Sequence, residues 1–285
     1  MCAAVERFID GVREIRLRDV PPPGSAAYAD WAAFPKPAHL HAARTQSVIC
    51  LEVAAEHVEG LVDAIERSHV LVAWSCLRVA IEASASSLWL TTQDIDPTTR
   101  VGRGLAVRDQ SLSQMLAFVR AAEPRLRSHE ERALWERQTE HLSLRAERLE
   151  SEASSVGLMP IVNKKGRRIG AGAKWPGSTE LIERVFGLEE ALLYRAASVV
   201  VHSNPSALLD FTLSDKATRT APAGLRKAMD AAIAARMLCR GIEAYAKAFW
   251  SNASYLGEGL DGLRSLLDAL AHDLQMPSER WFWSR

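Results

Sequence analysis

Apolar residues recur along most of this chain at three- and four-residue intervals, the period of one helix face. From about Ala42 to Glu66 the series Val48, Leu51, Ala55, Val58, Leu61, Val62 and Ile65 keeps that spacing. The next segment, His69 to Leu90, is apolar nearly all round. That predicts a buried central helix, with Ser68 as its N-cap. Asp96-Pro97-Thr98 opens a further helix to about Ala122, closed by Pro124, since proline suits a first turn and not an interior. Ser128 to about Ser155 carries a narrow stripe of Leu134, Trp135, Leu142, Leu144 and Leu149 on a charged background. It is expected on the surface, as half of a helical hairpin with its predecessor. Ser178 or Thr179 caps a helix to about His202, with Pro205 beyond its end. A long helix from Pro222 to Leu256 and a short one from Leu260 to Leu274 complete the series. The expected fold is all-α, a single multi-helix bundle of about seven to nine helices.

Two stretches break the pattern. Residues 2–17 suit a short amphipathic helix, which Pro21-Pro22-Pro23-Gly24 ends. Tyr28, Trp31 and Phe34 then read as an arm packed on the body, up to Pro37. The domain reading is therefore an N-terminal helix and Pro-rich arm over 1–37, and a helical domain over 38–285. Within that domain, residues 157–178 mix five glycines with Lys164, Lys165, Arg167, Arg168 and Lys174. They read as an irregular loop or a small hairpin turning at Asn163–Gly166. The tail Trp281-Phe282-Trp283 should pack against something, because three exposed aromatics are costly.

Composition narrows the function classes. Of 285 residues, 48% are hydrophobic and 25% charged, with 35 Lys plus Arg against 35 Asp plus Glu. A net charge near zero supplies no global field toward nucleic acid or an anionic membrane, so any such contact needs a local basic patch. Cys2, Cys50, Cys76 and Cys239 form no C-x-x-C pair, as expected of buried thiols in a reducing compartment. The longest apolar run, Val70 to Leu90, contains Arg78 and Glu82, a costly pair for a membrane span. With no apolar leader at the N-terminus, the expectation is a cytoplasmic protein without membrane contact. Glu66-x-x-His69 has no second copy, and no P-loop, G-x-G-x-x-G or G-x-S-x-G occurs. No metal and no cofactor are expected.

Three groups of residues can carry chemistry. Arg78, Glu82 and Ser86 recur every four residues, forming one polar row on the central helix. Buried charges must pair, with each other or with another helix. The row is either the polar floor of a pocket, with Trp74 and Tyr194, or an internal set that fixes helix register. Arg195, Ser198 and His202 are spaced i, i+3, i+7 and share one face of a later helix, about 10 Å separating the first and last along the axis. The loop cations Lys164, Lys165, Arg167 and Arg168 are the phosphate-binding candidates, with Trp175 near enough to stack a base; the alternative is a solvated loop. Arg100, Arg103 and Arg108 form a second basic stretch.

Arg195-x6-His202 resembles the R-x4-6-H signature of the HEPN superfamily of helical bundles, many of them metal-independent ribonucleases of toxin and defence systems. The wider pattern is also similar to a bacterial helical family of unknown function. That family carries R-x3-E on one apolar helix, here Arg78 and Glu82, and Y-R-x2-S-x3-H on a later one, here Tyr194, Arg195, Ser198 and His202. The HEPN resemblance implies catalytic roles. His202 would act as acid or base at an RNA 2′-hydroxyl, Arg195 would hold the scissile phosphate, and Ser198 would orient either. It further implies a cyclic-phosphate product and a site assembled across a homodimer. Three readings stand at this stage. The first is a HEPN-like endoribonuclease with RNA as partner. The second is a small-molecule-binding or biosynthetic enzyme with a pocket between helices 69–90 and 179–202. The third is a non-catalytic protein-interaction module presenting helix 128–155.

Overall fold

A computed structural model of the chain describes residues 1–15, 17, 20–33, 38–162, 164, 168–202 and 231–274, with the backbone alone at 38–42 and 168–169. The described residues form ten α-helices and one small sheet. The helices are α1 (Cys2–Glu14), α2 (Ala26–Ala33), α3 (Ala38–Glu66), α4 (Val70–Thr91), α5 (Pro97–Ala122) and α6 (His129–Ser155), then α7 (Ser178–Phe186), α8 (Leu188–Val201), α9 (Ala231–Leu256) and α10 (Asp261–Asp273). The protein is an all-α, multi-helix bundle. Its helix count exceeds the sequence expectation because the arm contains a helix of its own and because segment 178–201 is two helices. Gly187 (φ +106°) separates α7 from α8 in a backbone conformation that only glycine adopts freely.

Several helix ends follow directly from the sequence. Asp96 caps α5, its carboxylate accepting the Thr99 N–H at 2.9 Å, with Pro97 in the first turn. Ser128 caps α6 in a reciprocal box: its hydroxyl accepts the Glu131 N–H, and the Glu131 carboxylate accepts the Ser128 N–H, both at 3.0 Å. Ser68 behaves differently from the N-cap expected of it. It ends α3 in the left-handed conformation (φ +56°). The His69 N–H reaches back to Ala64 O at 2.7 Å and the Ser68 N–H to Ile65 O at 3.0 Å, the paired bonds of a Schellman end. The same pairing ends α6 at Gly157 and α9 at Gly257. Ser178, likewise expected as a cap, lies inside the first turn of α7, with Gly177 in the cap position.

The contacts divide the chain into two compact units: residues 1–28, 47–93 and 177–285, and residues 29–46 and 94–176. In the first, α4 packs against α7, α8 and α9, and Leu77, Ala80, Ile81 and Leu90 are fully enclosed. By length and mean hydropathy (1.2) α4 would also suit a bilayer; here it is the core helix of its unit. Its one-sided polar residues are enclosed with it. Ser47 donates to Asn252 Oδ1 at 2.6 Å, and Asn252 Nδ2 donates to Ser87 Oγ at 2.8 Å and Ala248 O at 3.0 Å. Thr91 and Ser251 exchange a further bond at 2.9 Å. Hydroxyls from α3, α4 and α9 thereby satisfy one another inside the core. The first and last described helices, α1 and α10, lie side by side. A Cβ at Gly11 would meet Leu266 Cδ2 at 2.5 Å, and Arg7 pairs with Asp273 at 2.7 Å.

In the second unit, α5 and α6 form the expected hairpin around Val101, Leu105, Leu112, Leu142 and Leu149. The glycine-rich segment is an antiparallel three-stranded sheet, β1 (Pro160–Val162), β2 (Arg168–Ala171) and β3 (Ala173–Lys174), in that order. Pro160 faces Ala171, and Gly170 faces Lys174 across the turn at Gly172 (φ +67°). Gly102 lets α5 lie against this turn, since a Cβ there would meet the Ala173 amide nitrogen at 3.2 Å. Asp30 of α2 and Arg100 of α5 form an ion pair that is almost fully enclosed, at 5% and 1% exposure. Phe34 and the tail Trp281–Trp283 lie outside the described residues.

Candidate functional site

The central polar row is drawn together with Tyr194, as the sequence reading required, and the link runs through the tyrosine. Tyr194 of α8 is buried beneath α4. Its hydroxyl accepts from Arg78 Nη2 at 3.4 Å and donates to Glu82 Oε2 at 3.0 Å. The Arg78 guanidinium also lies 5.4 Å from the centre of the Tyr194 ring, a cation–π contact. Glu82 Oε1 accepts from the Ser178 hydroxyl at 2.5 Å. Ser178 sits in the first turn of α7, so the carboxylate stands where the positive end of a helix dipole favours it. Ser86 turns its hydroxyl onto Glu82 O at 2.8 Å. Within this cluster one polar atom, Arg78 Nε, is buried without a hydrogen-bond partner among the described residues. Trp74 is buried on the same helix.

Arg195 and His202 occupy a different face of α8 from Tyr194. Both are exposed, and neither has an ion-pair or side-chain hydrogen-bond partner among the described residues. His202 is the C-cap residue, its N–H bonded to Ser198 O at 3.0 Å. The Ser198 hydroxyl donates to Tyr194 O at 2.9 Å, so its proton is engaged by its own helix. Leu188 and Leu192, at 58% and 53% exposure, continue the same outward stripe toward the helix start. The chemistry-bearing side chains therefore form two groups, an enclosed Arg78–Tyr194–Glu82–Ser178 relay and an open Arg195–His202 pair.

The phosphate candidates are only partly in view. Lys164 is exposed in the turn between β1 and β2. Arg168 opens β2, with its side chain outside the described set, as are Lys165 and Arg167 altogether. The second basic stretch is not a patch. Arg100 is enclosed against Asp30, and Arg108 is bidentate on Glu152, its Nη2 lying 3.3 Å from Oε1.

Sequence reading missed an ion-pair network between α8 and α9. Arg240 reaches Glu189 at 2.8 Å, Glu190 at 2.9 Å and Glu243 at 3.0 Å, and Lys247 closes on Glu243 at 3.1 Å. The Arg240 charge, with the Arg236 hydrogen bond, holds the Glu189 carboxyl below its usual range. Two signals for it were present: the acidic pair Glu189-Glu190 just past Gly187-Leu188, and Arg240, Glu243 and Lys247 at i, i+3, i+7. Burial pushes the Cys50 thiol up to about 11 and raises Cys76 as well. Among the described residues no three His, Cys, Asp or Glu side chains gather in metal-binding geometry. Comparison with known proteins adds no relative: no family model, curated protein or solved structure matches the chain.

Proposed function

We propose that the protein is a HEPN-like, metal-independent endoribonuclease acting through the outer face of α8. The observation that carries this reading is the exposure of Arg195 and His202 on one helix face, about 10 Å apart along the axis, with no protein partner among the described residues. Arg236, Arg240 and Arg184, by contrast, each meet a carboxylate. In the proposed reaction His202 takes the proton of the 2′-hydroxyl. The 2′-oxygen bonds to phosphorus, the P–O5′ bond breaks and the 5′-oxygen takes up a proton. The products are a 2′,3′-cyclic phosphate and a 5′-hydroxyl. Arg195 offsets the charge gathering on the phosphoryl oxygens. A homodimer bringing two such faces together belongs to the same proposal, as do a cytoplasmic setting and a role in defence.

The test is cleavage of single-stranded RNA by the purified protein in EDTA. Arg195→Ala and His202→Ala should each lower the rate by at least about a hundredfold, and a strand with 2′-deoxyribose at the cut position should stay intact. An inert wild-type protein, or variants that cut as fast as wild type, would end the proposal.

A small-molecule site at the α4–α8 relay is the second reading, favoured by the unmatched Arg78 Nε. Acetate, benzoate and glutarate serve as probes in thermal melts. Stabilisation of wild type that disappears in Arg78→Met supports this site, and an equal response in both proteins removes it.

A further inference from the structure

The α5–α6 hairpin of the second unit is open along one side of its seam. Met115, Phe118, Val119 and Leu142 floor a groove of about 590 Å³, and Arg137 and Arg145 of α6 line its edge. A second hollow of about 280 Å³ shares Phe118, Val119 and Gln138 and extends the groove to Leu126, Leu134 and Trp135. Together they follow α6 from Glu131 to Arg145, about 20 Å at the rise of a helix. Phe118 is 78% exposed and Leu134 53%. Large side chains left in water along a continuous groove mark a surface made to be covered. The Trp135 indole donates to Val119 O at 2.7 Å, which ties the two walls together and fixes the groove's width at that point.

Charge identifies the occupant. Arg137, Arg145 and, at the far end, Arg125 have no carboxylate partner among the described residues. The one lining carboxylate, Glu131, is already held by the N–H groups of Arg127 and Ser128, at 2.7 and 3.0 Å. The spare charge of the groove is therefore positive. Residues 137, 141 and 145 stand every four positions, about 6 Å apart along the axis. Carboxylates at i, i+4 and i+8 of a second helix have the same repeat. A single anionic headgroup would engage one of these positions and leave the others unmatched.

We infer that the α5–α6 groove docks an amphipathic helix of a partner protein, its apolar face on Phe118 and its acidic row along Arg137–Arg145. The mode is helix-in-groove recognition, and the docked helix turns a two-helix hairpin into a three-helix bundle. Met115 on the floor lets the surface adapt to different apolar anchors.

The probe is a displayed library of 18-residue helical peptides with apolar residues at a and d and an equal mixture of Glu and Lys elsewhere, selected on the full-length protein. Selected peptides should carry Glu in a row at i, i+4 and i+8. A synthetic copy should lose affinity at least about tenfold on Phe118→Glu. Arg137→Glu/Arg145→Glu should weaken it similarly and select Lys-row peptides instead. Phe118 and both arginines are exposed, so these variants keep the fold, which circular dichroism verifies. Selection without acidic bias, binding indifferent to Phe118→Glu, or an absence of binders each overturns the inference. So does tight binding of monomeric dodecyl sulfate to a groove that ignores every peptide.

Discussion

Ser68 holds a left-handed backbone that α6 and α9 give to glycine in the same Schellman end. An L-residue there carries a steric cost of about 1–2 kcal/mol, part of which glycine returns to the unfolded chain as entropy. Ser68→Gly should therefore stabilise the protein by about 0.5–1 kcal/mol, read as a higher urea midpoint with an unchanged slope. Tyr194 is the opposite case, a side chain whose one hydroxyl serves two charged groups. Tyr194→Phe keeps the ring beneath α4 and removes the partner of Glu82 Oε2 and Arg78 Nη2. Its expected cost is about 1–3 kcal/mol, measured by the same titration. Cys50 gives a chemical readout. With its thiol raised to about 11 by burial, it holds little thiolate at pH 8, and thiolate is the form that reacts. Iodoacetamide should modify it far more slowly in native protein than in urea, by peptide mass mapping.

At the scale of elements, the local signals were readable and the distant ones were not. Asp96-Pro97 and the Ser128–Glu131 box announce α5 and α6 because a cap needs only residues three apart. The hairpin and the central position of α4 follow from periodicity in the same way. Gly187 was passed over because the apolar spacing continues across it; the break shows only in the backbone conformation. Arg100 read as part of a basic stretch because its partner, Asp30, comes 70 residues earlier. That enclosed pair joins α2 to α5. Asp30→Ala leaves the guanidinium buried without its carboxylate and should cost about 3–5 kcal/mol, whereas Asp30→Leu/Arg100→Met should recover most of the loss. An Asp30→Ala variant as stable as wild type would show that the pair is dispensable. For the candidate site, the helical spacing correctly grouped Arg195 with His202 on one outward face. Tyr194, grouped in the sequence with Arg78 and Glu82, turns inward to both.

For the whole molecule, equal numbers of acidic and basic residues leave stability to local pairs. Glu189 is held down by Arg240 and Arg236, Asp273 by its bond from Arg7, Asp96 by Thr99, and Glu131 by the amides of Arg127 and Ser128. Each is a carboxylate more acidic folded than unfolded. Its contribution is present above the unfolded value, near pH 4 to 4.5, and is lost as pH falls through the folded one. The melting temperature should hold steady through neutrality and decline on acidification below about pH 4.5, with net proton uptake on unfolding there.

The pairing of α1 with α10 makes one seam from segments about 250 residues apart in the chain. The apolar face of α1 (Val5, Phe8, Ile9 and Val12) is buried, with Phe8 edge-on to Tyr245 at 6.4 Å, while Arg13 pairs with Glu59 of α3. The Gly11 surface of α1 fits Leu266, and Arg7 pairs with Asp273. Removing α10 should therefore uncover the Gly11 side of α1, read as protease cleavage within residues 2–14 that the full-length protein resists.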